Sequence, residues 1–208
     1  MRVIGGTFGG RRLKAVEGHV TRPTSDRVRE ALFSRLEARY GLSGAIVLDV
    51  FAGTGALAFE ALSRGAWSAV CIELDKRAVD TLRDNVRDLE LTARVRVIAD
   101  DYRRVLARFA ARRRFDGVFL DPPYGKGLAV DALEAVAGFG LMRPGGWITV
   151  EVGKRETLPE AVEGPEGVLR RVREDIYGDT RLGLFEAEAA VKHNEAAGEL
   201  ESPAAEAD

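Results

Sequence analysis

The stretch IVLDVFAGTGALA, residues 46–58, joins a short apolar run to a glycine turn and then to apolar residues at helical spacing. The run from Ile46 to Val50 predicts a buried strand, and Leu57 to Leu62 predict a helix. Gly53 and Gly55 permit a tight turn in which a ligand can approach the backbone beside the free N–H groups of that helix. This strand, turn and helix are typical of open α/β sheets that bind nucleoside cofactors.

The same alternation continues along the chain. Strands are predicted at 46–50, 70–73, 95–98, 115–120 and 147–152, and the helices between them at 57–62, 76–89, 102–113 and 133–137. Apolar strands that alternate with helices indicate a mostly parallel sheet covered on both faces. Two further strands, Val168 to Ile176 and Thr180 to Ala187, have no helix between them and should form an antiparallel hairpin. We therefore predict an α/β fold with a seven-stranded, mostly parallel sheet and an antiparallel C-terminal hairpin.

The two ends of the chain differ from this central pattern. Residues 2–4 and 12–16 predict two short strands joined through glycines, and residues 25–40 predict a helix that ends at Gly41. The residues after 187 are rich in Ala and Glu without periodicity, which favours disorder. We expect an N-terminal β-hairpin and helix (1–41), a main domain (42–187) and an acidic, disordered tail (188–208).

Composition excludes several classes of protein. Of the 208 residues, 46% are apolar and 31% are charged, as in globular domains. No run approaches the ~20 apolar residues of a membrane span, and the N-terminus lacks the apolar stretch of a signal peptide, so we expect a cytoplasmic protein. Cys71 lies in an apolar run and predicts a small buried side chain. One cysteine and two separated histidines supply too few ligands for a zinc site, and we expect no metal.

The charges are unevenly distributed, although the net charge is -2. Residues 1–29 hold seven basic residues against two acidic ones, and residues 186–208 hold seven acidic residues against one basic residue. Such asymmetry is typical of a protein that binds a polyanion. A solvated charged surface explains the same pattern equally well from charge alone.

Four carboxylates lie at or just after the ends of predicted strands. Glu73 ends the second strand 18 residues after Gly55, where a carboxylate can accept hydrogen bonds from ribose hydroxyls. Asp49 would disfavour a pyrophosphate at the glycine turn but suits a cationic ligand such as a sulfonium. No histidine follows a strand and little chain remains for a second domain, which argues against an NAD oxidoreductase and for S-adenosylmethionine. Asp100 and Asp101 follow the third strand, where a helix N-cap is as good an explanation as a contact with adenine.

The stretch FLDPPY, residues 119–124, ends the fourth strand, because two prolines remove two backbone donors. The Asp121 carboxylate and the Pro122 carbonyl offer two acceptors for the two hydrogens of an exocyclic NH2 group. Holding both hydrogens directs the nitrogen lone pair at a methyl group and stabilises the positive charge that grows on nitrogen. Tyr124 can stack on a base, at ~1 to 3 kcal/mol per base.

Four sequence blocks occur in one order: RVIGGTFGGRRL (2–13), TRPTSDRVREALF (21–33), LDVFAGTGALAFEALSRGA (48–66) and FLDPPY. Together they closely resemble the RsmD family of bacterial 16S ribosomal RNA guanine-N2 methyltransferases. The resemblance covers residues 1 to about 187 and includes YGDTRLGLFE near the end. DPPY alone also occurs in adenine-N6 DNA methyltransferases, so the combination carries the specificity.

The resemblance implies a Rossmann-like class I methyltransferase fold and methylation of the guanine conventionally numbered 966, in the small subunit or its assembly intermediate, by a monomer. It implies S-adenosyl-L-methionine as cofactor, bound by Asp49, Phe51, Gly53, Gly55, Glu73 and Asp101. It implies that the guanine is held by Asp121, Pro122 and Tyr124. The basic head then becomes the RNA-facing element, with Arg11, Arg12, Lys14 and Arg22. The alternatives are an adenine-N6 DNA methyltransferase and a ribosome-assembly factor that binds RNA without catalysis.

Overall fold

The computed structural model describes residues 1–16, 26–110, 112 and 114–189. Within these ranges, the α-helices are α1 (Asp26–Tyr40), α2 (Ala56–Ser63), α3 (Lys76–Asp88), α4 (Tyr102–Phe109) and α5 (Leu128–Gly138). The strands are β1 (Ile46–Asp49), β2 (Ser68–Glu73), β3 (Val95–Ala99), β4 (Phe115–Leu120), β5 (Met142–Gly153), β6 (Ala161–Gly164), β7 (Gly167–Tyr177) and β8 (Thr180–Ala189).

The eight strands form one sheet in the order β3-β2-β1-β4-β5-β8-β7-β6. The pairs from β3 to β5 are parallel, and the pairs β5/β8, β8/β7 and β7/β6 are antiparallel. The predicted fold class and the predicted hairpin are therefore confirmed, with β7 and β8 turning at Gly178. The strand count is one higher than predicted, because β6 is a four-residue edge strand too short to give a periodic pattern.

Two hydrophobic layers cover the sheet, as alternate strand residues face opposite sides. Phe119 belongs to the layer that contains Leu36 of α1 and Phe59 of α2. Val118 belongs to the opposite layer, with Leu133 of α5. Cys71 is buried and forms no disulfide, as the sequence predicts. Within the described ranges, no helix is long and apolar enough to cross a membrane.

The N-terminal hairpin is much smaller than predicted. Its strands are reduced to one antiparallel bridge, between Arg2 and Arg12, and a 3-10 turn occupies Gly6–Phe8. Val3, Gly10 and Leu13 still donate to carbonyls across the hairpin. The N–H groups of Ile4, Gly5 and Phe8 instead donate to the α2 side chains of Glu60 and Ser63, which interrupts the pairing. A Cβ atom at Gly6 would lie 2.0 Å from the Ser63 carbonyl oxygen, so glycine permits this close approach.

Three other boundaries differ from the predictions. Helix α4 ends at Phe109 instead of 113, because the backbone of Ala110 is extended (ψ 135°). The fifth strand, predicted at 147–152, begins earlier at Met142, and residues 143–146 form an irregularity inside β5, where the pairing with β4 shifts between Phe115 and Gly117. Strand β8 extends to Ala189, and Glu188 forms an ion pair with Arg170, so the first two residues of the expected tail belong to the sheet.

Candidate functional site

The candidate site lies where β1 and β4 end side by side. These parallel strands pair Asp49 with Phe119, so the residues that follow both strands emerge at one edge of the sheet. The Val50 N–H donates to the Phe119 carbonyl across this pair (3.1 Å). Strands β2 and β3 lie beyond β1, and β5 lies beyond β4. The chain reverses its winding direction between β1 and β4, which is where open α/β sheets bind ligands.

The glycine turn after β1 has the tight geometry that the sequence predicts. Gly55 has φ +88°, and a Cβ atom there would lie 2.4 Å from the Phe59 ring and 2.6 Å from Leu82. Gly53 also has a positive φ (+52°), but a Cβ atom there would meet nothing within 4 Å, so this side of the turn is open. The Gly53 N–H donates to the Glu73 carboxylate (2.8 Å), which fixes the turn against the end of β2.

Asp49 carries a buried charge that its surroundings do not fully compensate. The residue is 1% exposed, and its carboxylate accepts backbone hydrogen bonds from Phe51 and Ala58. Its Oδ1 atom nevertheless has no hydrogen-bond partner in the structure. Burial first, and then the nearby Glu73 carboxylate, raise the pKa of Asp49 to about 7. A cationic ligand would relieve both effects by stabilising the ionised form.

Glu73 and Asp101 extend this carboxylate edge. The second oxygen of Glu73 accepts the N–H groups of Leu74 and Asp75 (2.8 and 2.9 Å). Asp101 is the N-cap of α4 and accepts the Arg103 N–H (2.9 Å), so the capping explanation of this pair is correct for Asp101. Its contact with adenine stays a prediction.

Asp100 differs from its neighbour because it is neutralised within the chain. It accepts the Asp101 N–H and forms ion pairs with Arg104 and Arg108 (3.0 and 3.1 Å). That amide hydrogen bond, together with the two arginines, lowers the pKa of Asp100. Asp100 is therefore the less suitable of the two for a neutral purine.

Phe51, which follows β1, forms an aromatic contact with Tyr102, the first residue of α4. Its ring lies edge-on to Tyr102, with 4.9 Å between centroids. The Tyr102 hydroxyl donates to Asp131 of α5 (2.5 Å), which holds the ring in place. Phe51 thus presents a fixed, partly buried apolar surface beside the glycine turn.

The DPPY corner follows β4, with Pro122 buried and Tyr124 42% exposed. The Tyr124 hydroxyl donates to Glu151 Oε1 of β5 (2.5 Å) and also shares a hydrogen bond with Thr180 of β8 (2.9 Å). Burial, and then the hydrogen bond to Glu151, raise the pKa of Tyr124, so the phenol is neutral at physiological pH. The corner therefore holds an aromatic ring at a fixed place next to Asp121.

The residues on the β1 and β2 side fit a nucleoside cofactor that carries a positive charge. A buried carboxylate oxygen has no partner, a second carboxylate lies close enough to repel it, and one side of the glycine turn is open. Among the described residues, no basic side chain forms an ion pair with Asp49 or Glu73. These features favour a ligand that brings both hydroxyl donors and a cation.

Of the basic residues predicted to face RNA, two are already paired with groups of the protein itself. Lys14 forms ion pairs with Asp88 (2.9 Å) and Asp84 (3.6 Å) of α3, and the hydrogen bond to Asp88 raises the pKa of Lys14. The Arg11 guanidinium donates to the Asp88 carbonyl. Arg12 is exposed. Arg22 lies outside the described residues.

Four buried or pairing side chains that support the site were missed in the sequence. Glu151 and Thr180 hold Tyr124, while Glu60 and Asn85 hold the N-terminal segment against the site. Glu60 accepts the N–H groups of Ile4 (2.7 Å) and Gly5 (2.9 Å). Asn85 donates to both the Lys14 carbonyl (3.2 Å) and the Thr54 carbonyl (3.0 Å), which links this segment to the glycine turn. A charged residue inside the apolar helix ALAFEALS was the available signal for Glu60.

Comparisons with known proteins give a consistent assignment. Residues 1–186 match the family model described as "Conserved hypothetical protein 95". The chain is 38% identical over 186 residues to the putative rRNA methyltransferase YlbH of Bacillus subtilis, covering 89% of this chain and 98% of that protein. It is 33% identical to the ribosomal RNA small subunit methyltransferase D of Escherichia coli, covering 91% of each.

A solved structure agrees with these relatives. The putative methyltransferase yhhF from Escherichia coli superposes with a TM-score of 0.78 at 34% identity, covering 91% of this chain and 99% of that chain. Three observations support the same family: the sheet with its glycine turn and DPPY corner, the family match over residues 1–186, and the similarity to these relatives. The chain therefore belongs to the RsmD family of ribosomal RNA small-subunit methyltransferases.

Proposed function

We propose that the protein methylates the exocyclic N2 amine of a guanine in 16S ribosomal RNA, at the position conventionally numbered 966, and that its methyl donor is S-adenosyl-L-methionine. The observation that carries this proposal is the DPPY corner, where Asp121 lies beside a tyrosine ring anchored by Glu151 and Thr180. The RNA substrate class follows from the family. The choice of guanine N2 rests on the family resemblance and on the chemistry of this corner.

The acceptor half of the site orients the amine. The Asp121 carboxylate and the Pro122 carbonyl accept the two hydrogens of the NH2 group, so the nitrogen lone pair points toward the cofactor half. Tyr124 stacks on the purine, and its anchored hydroxyl limits how far the ring can rotate. As the N–C bond forms, the amine becomes cationic, and the Asp121 carboxylate stabilises that charge. The nitrogen then loses a proton to Asp121 or to solvent, so a separate strong base is unnecessary.

The donor half of the site binds the cofactor. When bound, S-adenosyl-L-methionine supplies an electrophilic methyl group on a sulfonium, with a neutral thioether as the leaving group. Asp49 would contribute negative potential under the glycine turn, and Glu73 would accept hydrogen bonds from the ribose. Asp101 would accept a hydrogen bond from the adenine amino group, and Phe51 would pack against the base. Gly53 and Gly55 let the ligand approach the backbone.

The location of the reaction in the cell follows from the proposed substrate. A target in the small subunit, or in its assembly intermediate, places the reaction in the cytoplasm. One chain carries both the donor and the acceptor half, because β1 and β4 are neighbours in one sheet. We propose that the protein acts as a monomer.

The test is to incubate the protein with methyl-labelled cofactor and unmodified small subunits, and then to map the label. The expected result is one labelled guanine in 16S RNA, with the methyl group on N2. Label on adenine N6 would contradict the guanine assignment. Tight RNA binding without label, in the presence of bound cofactor, would favour a non-catalytic assembly factor.

A further inference from the structure

We propose that Lys126, Lys154 and Arg155 form a phosphate-binding rim that holds the RNA backbone beside the target guanine. This inference rests on the proposed function, since it assigns substrate contacts at the same site. All three side chains are exposed. Lys126 follows the DPPY corner by two residues, and the other two follow the end of β5, which neighbours β4 in the sheet. In the part of the chain that the structure describes, none of the three makes an ion pair.

A single carboxylate holds the two parts of this rim together. Glu156 Oε1 accepts the N–H of Gly125 (3.0 Å) and the N–H of Gly153 (2.9 Å). Gly125 directly precedes Lys126, and Gly153 directly precedes Lys154. The starts of the two loops are therefore held by hydrogen bonds to the same oxygen atom. Glu156 lies on the rim, and within the described ranges it forms no ion pair with a rim base.

The loop after β5 is fixed from its other side by the hairpin of β7 and β8. The Lys154 N–H donates to the Asp179 carbonyl (2.8 Å), and the Arg181 guanidinium donates to the Lys154 carbonyl (3.0 Å from Nη2). The same hairpin supplies Thr180, which bonds to Tyr124. The backbone that carries two rim bases is thus tied to the strands that fix the stacking ring. Phosphate contacts here would set the position of the RNA relative to that ring.

Four carboxylates stand on the segments around the rim: Asp121 and Glu151 in the corner, Asp179 in the hairpin turn, and Glu156. Within the described ranges, none of them forms an ion pair with a rim base. Glu151 is 6% exposed and bonds to Tyr124. Lys14, by comparison, pairs with two acids of α3. Extracting a guanine from its stack costs a few kcal/mol, and contacts to the flanking phosphates offset that cost.

The experiment measures binding to an unmodified 16S ribosomal RNA transcript across a range of salt concentrations. The rim variant carries Lys126→Ala, Lys154→Ala and Arg155→Ala. Each phosphate contact to single-stranded RNA contributes about 0.7 to the slope of log K against log salt, so losing three lowers the slope by about 2. Affinity at moderate salt is expected to fall by at least about tenfold, uniformly across RNA sequences.

A charge-matched control separates the rim from net charge. It carries Arg83→Ala, Arg87→Ala and Arg96→Ala, exposed positions on α3 and β3 that remove the same three charges. The control is expected to change RNA affinity by less than about threefold, since it removes no proposed phosphate contact. Equal losses in both variants, or no loss in the rim variant, would overturn the rim.

Two further measurements keep this inference distinct from the proposed function. Calorimetry with S-adenosylmethionine is expected to give the same affinity for the rim variant and the wild-type protein, and a weakened affinity would overturn a role restricted to RNA. Mapping the methyl group made by the wild-type protein tests the function separately. RNA binding that depends on the rim, together with label on another base, would keep the rim and refute guanine N2.

Discussion

Asp49 and Asp121 end or follow neighbouring parallel strands, yet their surroundings are opposite. Asp49 is 1% exposed and accepts backbone hydrogen bonds from Phe51 and Ala58. Asp121 is partly exposed and is followed by two prolines, which have no N–H group to donate. The amide two residues on, which donates to Asp49, therefore has no counterpart at Asp121. One sheet edge thus provides two different carboxylates, one buried in the protein and one partly exposed on the proline corner.

The same contrast extends to what each carboxylate can do. A buried charge with a raised pKa acts through its field on a bound cation and is sensitive to pH. A partly exposed acceptor on a rigid proline corner acts through direct, oriented hydrogen bonds. The donor and acceptor halves should therefore fail in different ways when each carboxylate is altered.

The largest effect is expected from Asp121→Ala. Loss of one oriented acceptor for developing charge should lower kcat about 10²- to 10³-fold. S-adenosylmethionine affinity, measured by calorimetry, should stay within about twofold of the wild-type value, because the donor half, which contains Asp49, is intact. The kcat of Asp121→Asn, which keeps one acceptor but no charge, should lie between those of the wild-type protein and Asp121→Ala. Glu160→Gln, at an exposed position, is the control and should retain full activity. A full rate in Asp121→Ala would remove Asp121 from the mechanism.

The next effect is expected from Asp49→Asn, which removes the buried charge at nearly constant volume. S-adenosylmethionine affinity should fall about tenfold, corresponding to about 1.4 kcal/mol. S-adenosylhomocysteine lacks the sulfonium charge, and its affinity should fall less. Melting temperature at pH 8 should not decrease, since an uncompensated buried charge has been removed. Equal losses for both ligands would show that Asp49 shapes the glycine turn without acting through its charge.

The pH dependence of cofactor binding sharpens the same comparison. The pKa of Asp49 is raised to about 7 from its ordinary value of 3.8. Between these two pH values, Asp49 is protonated in the folded protein and ionised in the unfolded chain. The stabilisation that this proton gives the folded state is present at pH 4 and is lost as pH rises through 7. A cationic ligand binds the ionised form more tightly, so its affinity should fall as pH drops through 7 and should level off at about the tenfold loss expected for Asp49→Asn. In Asp49→Asn the profile should be flat over this range.

The sequence predicts the structure of the glycine turn and its surroundings well because its determinants are local. A strand, two glycines and a carboxylate at the next strand end are all read from spacing, and the turn and its link to Glu73 follow. The parallel sheet is predicted for the same reason. The reduced N-terminal bridge was missed because it depends on partners far away in sequence, such as Glu60 and Ser63. Strand β6 was missed because its four residues are too few for a periodic pattern.

The acceptor half is predicted only in its corner. FLDPPY identifies Asp121 and Tyr124, but nothing adjacent indicates that Glu151 and Thr180 hold the ring. Those contacts join residues separated by 27 and 56 positions. The count of charges along the chain was also a poor guide to which basic side chains are free to bind RNA. Lys14 belongs to the basic head, but α3 brings Asp84 and Asp88 against it.

The smallest effect is expected from Tyr124→Phe, which keeps the stacking ring and removes its anchor. Each lost hydroxyl hydrogen bond contributes about 0.5–1.5 kcal/mol, and Glu151, 6% exposed, loses this donor, so the free energy of unfolding should decrease by about 1–3 kcal/mol. Because the ring can still stack, kcat should fall only about threefold, whereas Tyr124→Ala should lose the stacking contribution as well. Thr180→Val removes the second partner alone and should lie closer to wild type. If Tyr124→Phe and Tyr124→Ala lost activity equally, the hydroxyl would be the functional group, and the acceptor half would depend on a polar contact instead of on a positioned ring.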